Sequence, residues 1–284
     1  MSISASSVLV EQTLRVWTGN KIDKVATQKV TEDNSAVSNA ARVEKNLLAG
    51  TSKRKEIEEF AASCRRWHAS KTLPWADPGA RLLPTSLFME YKSEANMRRM
   101  QFDSMVEDFL VEYPQLVQIS QMYLGTLFNP EDYPPVEELR RKFEYKLVFS
   151  PVPEAGDFRL DVNNEDLAEM RSQYEQSYNS RLNDAMQEAW GRLHNVLTTI
   201  SDKLADNKDP NAKKRYHDTL LGNANELCAM LSHLNVTKDP ELERARRSLE
   251  SVLVGATMDS IKESSHARAD LKSKVDDVLK QFEW

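Results

Sequence analysis

Residues 164–206 read NEDLAEMRSQYEQSYNSRLNDAMQEAWGRLHNVLTTISDKLAD, and the spacing of their large apolar side chains decides the fold. Leu167, Met170, Tyr174, Tyr178, Leu182, Met186, Trp190, Leu193, Leu197, Ile200 and Leu204 follow one another by three or four positions throughout. That spacing lays one apolar stripe along one face of a single helix. Asn163 or Asn164 supplies a cap, and Glu165 and Asp166 put negative charge in the first turn, where the helix dipole favours it. At 1.5 Å per residue such a helix runs about 60 Å, longer than a compact domain of this size is wide, so it is expected to protrude.

Downstream, Lys208-Asp209-Pro210 and Lys238-Asp239-Pro240 repeat one punctuation. In each, the Asp can cap a new helix and the Pro takes its first position, where a missing N–H costs nothing. Tyr216, Leu220, Leu227, Leu231 and Leu234 mark the first of these helices. Leu242, Leu249 and Val252 mark the second, which continues past an irregularity at Gly255 through Ile261, Leu271, Val275, Val278 and Phe282. Glu243 with Arg247, Asp270 with Lys274 and Asp276 with Lys280 stand four apart, acid first, as on exposed helix faces. Residues 163–284 therefore read as an antiparallel helical bundle or coiled-coil arm, the surface through which a homo-oligomer would form.

Nine of the 11 prolines fall between Pro74 and Pro153, and this shift in composition sets residues 1–162 apart as a mixed α+β head. Val8, Val10, Leu14 and Val16 partly alternate with polar residues, as in a strand, with a short helix nearly as good a reading. Residues 56–69 and 86–113 look helical. Residues 145–149 and 157–162 alternate on either side of a Pro/Gly loop and predict a small hairpin, which must pack on helices or pair with another strand such as the N-terminal one. The fold class expected is mainly α: a helical head with a β-hairpin or short antiparallel sheet, and a long helical arm.

Composition narrows the chemistry. The chain has 284 residues, of which 40% are hydrophobic, 29% charged and only 8 are Gly, too few turn residues for a sandwich or barrel. The eight glycines are isolated from one another, so neither a P-loop nor a dinucleotide fingerprint is present. A net charge of −6 disfavours indiscriminate binding to a phosphate backbone. Short basic clusters remain, Lys53-Arg54-Lys55, Arg65-Arg66, Arg98-Arg99, Lys213-Lys214-Arg215 and Arg244 with Arg246 and Arg247, of which Lys213, Lys214 and Arg215 are the candidate nucleic-acid patch. Cys64 and Cys228 are too few for a disulfide framework and read as buried thiols of a reducing compartment. Cys64 and His68 share a helix face, but a zinc site would need two further ligands brought in by a coincidence of folding. No nucleophile elbow accompanies the five scattered histidines. No catalytic residue, metal or cofactor is expected. The N-terminus shows no signal peptide and the longest apolar stretch is too short to span a bilayer, so a cytoplasmic protein is expected.

Residues 73–84, LPWADPGARLLP, follow neither helical nor strand period and read as an ordered or disordered loop, with order favoured by the cost of leaving Trp75, Leu82 and Leu83 in water. Residues 125–135, GTLFNPEDYPP, form a second connector. If these loops and the hairpin meet, Trp75, Tyr133, Phe149 and Phe158 make either a small core or an exposed anchor patch, with Arg81, Asp157 and Arg159 as ion partners. These seven residues are the candidate partner-binding set.

The same stretches, Leu73-Pro74-Trp75 with Arg81-Leu82-Leu83-Pro84, Leu124-Gly125 with Leu127-Phe128, Asp132-Tyr133-Pro134, Phe143, and residues 149–153 with Gly156-Asp157-Phe158-Arg159, resemble a family of unknown function from tailed phages and bacteria. The likeness covers about residues 5–200. Members of that family are often encoded beside MoxR/CobS-like AAA+ ATPases and von Willebrand factor A domain proteins, and no catalytic residues carry over from them. The resemblance implies a phage setting, in the host cytoplasm, and a place in an ATPase-linked assembly. The expected function is a non-enzymatic adaptor working with those two partners; the alternative is a nucleic-acid-binding protein of phage replication or packaging.

Overall fold

The stripe of residues 164–204 forms one helix of 41 residues in the computed structural model, which describes residues 3–76, 78–153, 164–205, 216–282 and 284. The architecture is mainly α with a small β part. In chain order the elements are α1 (Ile3–Ser6), β1 (Ser7–Arg15), β2 (Asn20–Ile22), α2 (Lys24–Asp33), β3 (Glu44–Asn46), α3 (Lys53–Lys71), β4 (Leu73–Pro74) and β5 (Arg81–Pro84). They continue with α4 (Phe88–Leu124), α5 (Val136–Arg140), β6 (Glu144–Pro151), α6 (Asn164–Leu204), α7 (Thr219–Leu234), α8 (Pro240–Leu253), α9 (Met258–Glu263) and α10 (Ser265–Gln281).

The chain forms two compact units, and they are not the halves that the change in composition marks at residue 162. One unit gathers Met1–Glu11, Ala69–Tyr91 and Val148–Trp284; the other holds Gln12–His68 and Lys92–Leu147. The reason lies in burial. Leu9, Leu73, Trp75 and Leu82 from the first third of the chain share one core with Leu193, Leu197 and Ile200 of α6, Leu231 of α7, Leu249 of α8 and Val275 of α10. Ala185 and Ala189, small and fully buried, continue the α6 stripe.

The four-stranded sheet has the strand order β4-β5-β1-β6. Antiparallel register sets Ser7 opposite Pro84 and Val10 opposite Arg81, with Leu73 opposite Leu82. Residues 73–84 thus form a short hairpin and not the irregular loop that their lack of period predicts. Pro74 fits because β4 is an edge strand, and Pro84 because it is the last residue of β5. The N-terminal strand is present as expected, and β6 lies beside it in the sheet. The hairpin's expected second strand, residues 157–162, lies outside the described residues. Arg192 of α6 donates to the carbonyl oxygens of Ala69, Ser70 and Thr72 at 2.9, 3.1 and 2.7 Å, satisfying groups that the end of α3 leaves without helical partners.

Asp239 caps α8 through the Glu241 N–H at 2.9 Å, with Pro240 in first position as read from the sequence. Gly255 takes φ +80 just past the end of α8, a conformation that costs glycine little. The pairs Glu243–Arg247 and Asp270–Lys274 form at 2.6 and 2.7 Å. Asp276 instead turns to Lys272, and Lys280 to Asp277.

In the second unit α3 packs on α4: Ile57, Ala61 and Cys64 meet Phe102, Val106 and Phe109, with Leu139 of α5 and Tyr145 of β6 closing the core. Helix α4 runs through Pro114, where the sequence predicts an end. A proline inside a helix forfeits one hydrogen bond and crowds the preceding turn. Buried Leu110, Tyr113 and Leu116 on both sides hold the helix together across it. The ribbon β2-β3 and helix α2 have no clear period in the sequence, their strands being only three residues long.

Candidate partner-binding surface

Helix α4 carries apolar side chains on two faces. The inner face is the core just described. The outer face holds Met100, Val111 and Met122, which are 68%, 80% and 83% exposed, with exposed Met97, Ile119 and Tyr123 beside them. Steps of 11 residues amount to three helical turns, so Met100, Val111 and Met122 form one row about 33 Å long. Large apolar side chains grouped on a surface mark an interaction site, and methionine adapts to varied partners.

At its C-terminal end α4 meets the connector 125–135, and a buried ion network fixes that connector. Residues Lys21 and Lys45 are cross-strand neighbours on β2 and β3. Like charges so placed repel. Asp132 relieves this by standing between them: Lys45 Nζ lies 2.5 Å from Oδ2 and Lys21 Nζ 2.6 Å from Oδ1. Lys45 also donates to the Leu127 carbonyl at 2.9 Å and lies 3.6 Å from Asp23. Burial alone would raise the pKa of Asp132, but hydrogen bonds from the two lysines outweigh it and hold the carboxyl below its usual range. Gly50, at φ +81, leaves room for the ring of Tyr123: a Cβ there would come within 2.5 Å of it. The connector is therefore a fixed support for the exposed Met122, Tyr123 and Leu127.

The candidates named from the sequence fall in different places. Trp75 is 5% exposed and stands edge-on to Tyr178 at 5.3 Å, so it packs the interior and is no exposed anchor. Arg81 donates from Nε to Thr72 Oγ1 at 2.8 Å, holding the β4-β5 hairpin. Phe149 lies edge-on to Phe88 at 5.2 Å and Tyr91 at 6.2 Å. Tyr133 belongs to the other unit, where its hydroxyl donates to the Leu47 carbonyl at 2.7 Å and its ring meets Phe128. Burial raises the pKa of Tyr133. Trp75 and Phe149 thus belong to the first unit and Tyr133 to the second. Asp157, Phe158 and Arg159, like Lys213, Lys214 and Arg215, lie outside the described residues. None of the outer-face residues of α4 was singled out by sequence reasoning, although the 11-residue spacing was there to be found.

Other polar groupings are engaged in holding the fold. Ser201 donates to Asp276 Oδ1 at 2.5 Å, and Lys272 donates to Ser201 Oγ at 3.1 Å while pairing with Asp276 Oδ2. The serine's proton is committed to a carboxylate, and the triangle ties α6 to α10. An open groove of about 590 Å³ between α8 and α10 is lined by Arg244, Arg247, Ser248 and Val278. Its arginines are already matched, Arg244 by Glu241 and Arg247 by Glu243. Members of other basic clusters are paired as well: Lys53 with Glu112, Arg54 with Glu58 and Arg98 with Glu94. Cys64 and Cys228 are buried free thiols, and burial pushes Cys228 up to about 11. Among the described residues no group of three or more His, Cys, Asp or Glu is placed to hold a metal ion, and no helix is long and apolar enough to cross a membrane.

The chain matches no protein-family model, no curated protein and no solved structure.

Proposed function

We propose that this protein is a non-enzymatic interaction protein, an adaptor that docks protein through the outer face of α4. The observation that carries the reading is the exposed row Met100, Val111 and Met122, set on one helix of 37 residues. The expected alternative surface, the α6 stripe, is consumed within the chain: from Ala185 to Leu204 it packs against α7, α8 and α10. The family resemblance names the partners to try first, a MoxR-like AAA+ ATPase and a von Willebrand factor A domain protein. The nucleic-acid reading rests on Lys213, Lys214 and Arg215, outside the described residues, while Lys53, Arg54, Arg98, Arg244 and Arg247 are matched by carboxylates.

The test is co-expression of the tagged full chain with its genomic neighbours, followed by pull-down with and without ATP. Recovery of the ATPase or the von Willebrand factor A protein, weakened by Met122→Glu, is the expected result. Recovery of neither, or recovery indifferent to the α4 face, would overturn the reading. Material retained only as nucleic acid and lost at high salt would move the alternative forward.

A further inference from the structure

We infer that the exposed methionines of α4, Met100 and Met122 foremost, are a site of reversible oxidation by a peroxide, and that their sulfoxides close the docking face. This rests on the reading of α4 as a docking face and adds its regulation.

Of the ten methionines, four stand exposed among the described residues, and all four lie on α4: Met89, Met97, Met100 and Met122, between 57% and 83% exposed. Met105, on the same helix, packs against the core of its unit, and Met186, Met230 and Met258 pack against the other core. An oxidant in solution meets the first set and is kept from the second. The thiols that usually take an oxidant first are withdrawn. Cys64 and Cys228 are buried, and burial pushes Cys228 up to about 11, away from the reactive thiolate.

In the step itself the thioether sulfur attacks one peroxide oxygen and the O–O bond breaks. Sulfur is oxidised by two electrons, and the other oxygen leaves as hydroxide, takes the proton of the first and departs as water. Two thiols of a sulfoxide reductase reverse it, joining as a disulfide while the sulfoxide oxygen leaves as water. The sulfoxide is polar, so seating it against an apolar partner strips water from an oxygen that gains nothing in return. Oxidation of Met100 and Met122 leaves Val111 as the one apolar member of the row.

Titration of the full chain with hydrogen peroxide, read residue by residue by peptide mass spectrometry, tests the site. The four exposed methionines should gain oxygen about tenfold or more faster than Met105, Met186, Met230 and Met258, with both cysteines still thiols and the urea midpoint unchanged. Equal rates throughout, or unfolding that keeps pace with oxidation, would overturn the inference. The regulation is read by repeating the partner pull-down with oxidised chain. Oxidation should weaken recovery about tenfold, a methionine sulfoxide reductase with dithiothreitol should restore it, and bound partner should shield Met100 and Met122 from peroxide. Recovery sensitive to Met122→Glu yet indifferent to oxidation would overturn the regulation and leave the docking face standing. Recovery of no partner in either state would remove the docking face and its regulation together, while the order of oxidation alone would still decide the site.

Discussion

Lys45 and Asp132 have side chains only 9% and 6% exposed, and Asp132 is shared with Lys21. Removing one member of a buried pair strands the other charge, at a cost of about 3–5 kcal/mol when nothing remains beside it. Lys45→Met leaves Lys21 on Asp132, so the expected loss is smaller, about 2–3 kcal/mol. Urea unfolding followed through Trp17, which lies 6.4 Å from Phe109 and 6.0 Å from Tyr113 in the same unit, is the measurement. A change within about 0.5 kcal/mol, the usual range of an exposed surface site, would show that the network does not hold the connector. None of this is legible in the sequence. Lys21 and Lys45 lie 24 positions apart, and two three-residue strands bring them together without enough length to show an alternation. Tyr133 and Trp75 were legible as side chains too apolar to leave in water. What each of them packs against was not, because that depends on register and not on composition.

Helix α8 shows how a pattern readable from spacing acquires a measurable consequence. Glu243 accepts from Arg246 at 2.9 Å and from Arg247 at 2.6 Å, and the hydrogen bond from Arg246 leads in holding its pKa down to about 2, against an ordinary 4.5. A carboxylate whose folded pKa is depressed contributes its stability in full above the unfolded value and loses it as pH falls toward the folded one. The helical unit should therefore weaken between about pH 4.5 and pH 2. Glu243→Gln should flatten that fall while lowering stability at neutral pH, both read by urea midpoints across the pH range. A wild-type curve with the same slope as the variant would remove Glu243 from the account. At this scale the sequence was most informative for long helices: the 3.6-residue period fixed α6 almost to its ends, and Asp239 with Pro240 fixed the start of α8. It misled at Pro114, where local propensity says stop and buried Leu110, Tyr113 and Leu116 carry α4 on.

For the whole chain, the change in composition at residue 162 reads as a domain boundary, but core membership follows burial and not sequence order. Residues Leu9, Leu73, Trp75 and Leu82 complete the core of the helical unit, and Arg192 of α6 spends its guanidinium on the carbonyls of residues 69, 70 and 72. A fragment of residues 163–284 keeps every helix from α6 onward and loses all of these. Tyr178 is then left without Trp75, and the apolar surface of α6 that the sheet covered faces water. Truncating a single buried aromatic or leucine costs about 2–5 kcal/mol, so losing four such side chains together should lower the melting temperature of the fragment by at least about 10 °C relative to the same unit in the full chain. It should also bind a dye that reports exposed apolar surface. A fragment that melts cooperatively at the temperature of the full chain and binds no dye would show that the helices form a self-sufficient domain, and that the strands and hairpin from the first 91 residues are accessory to it.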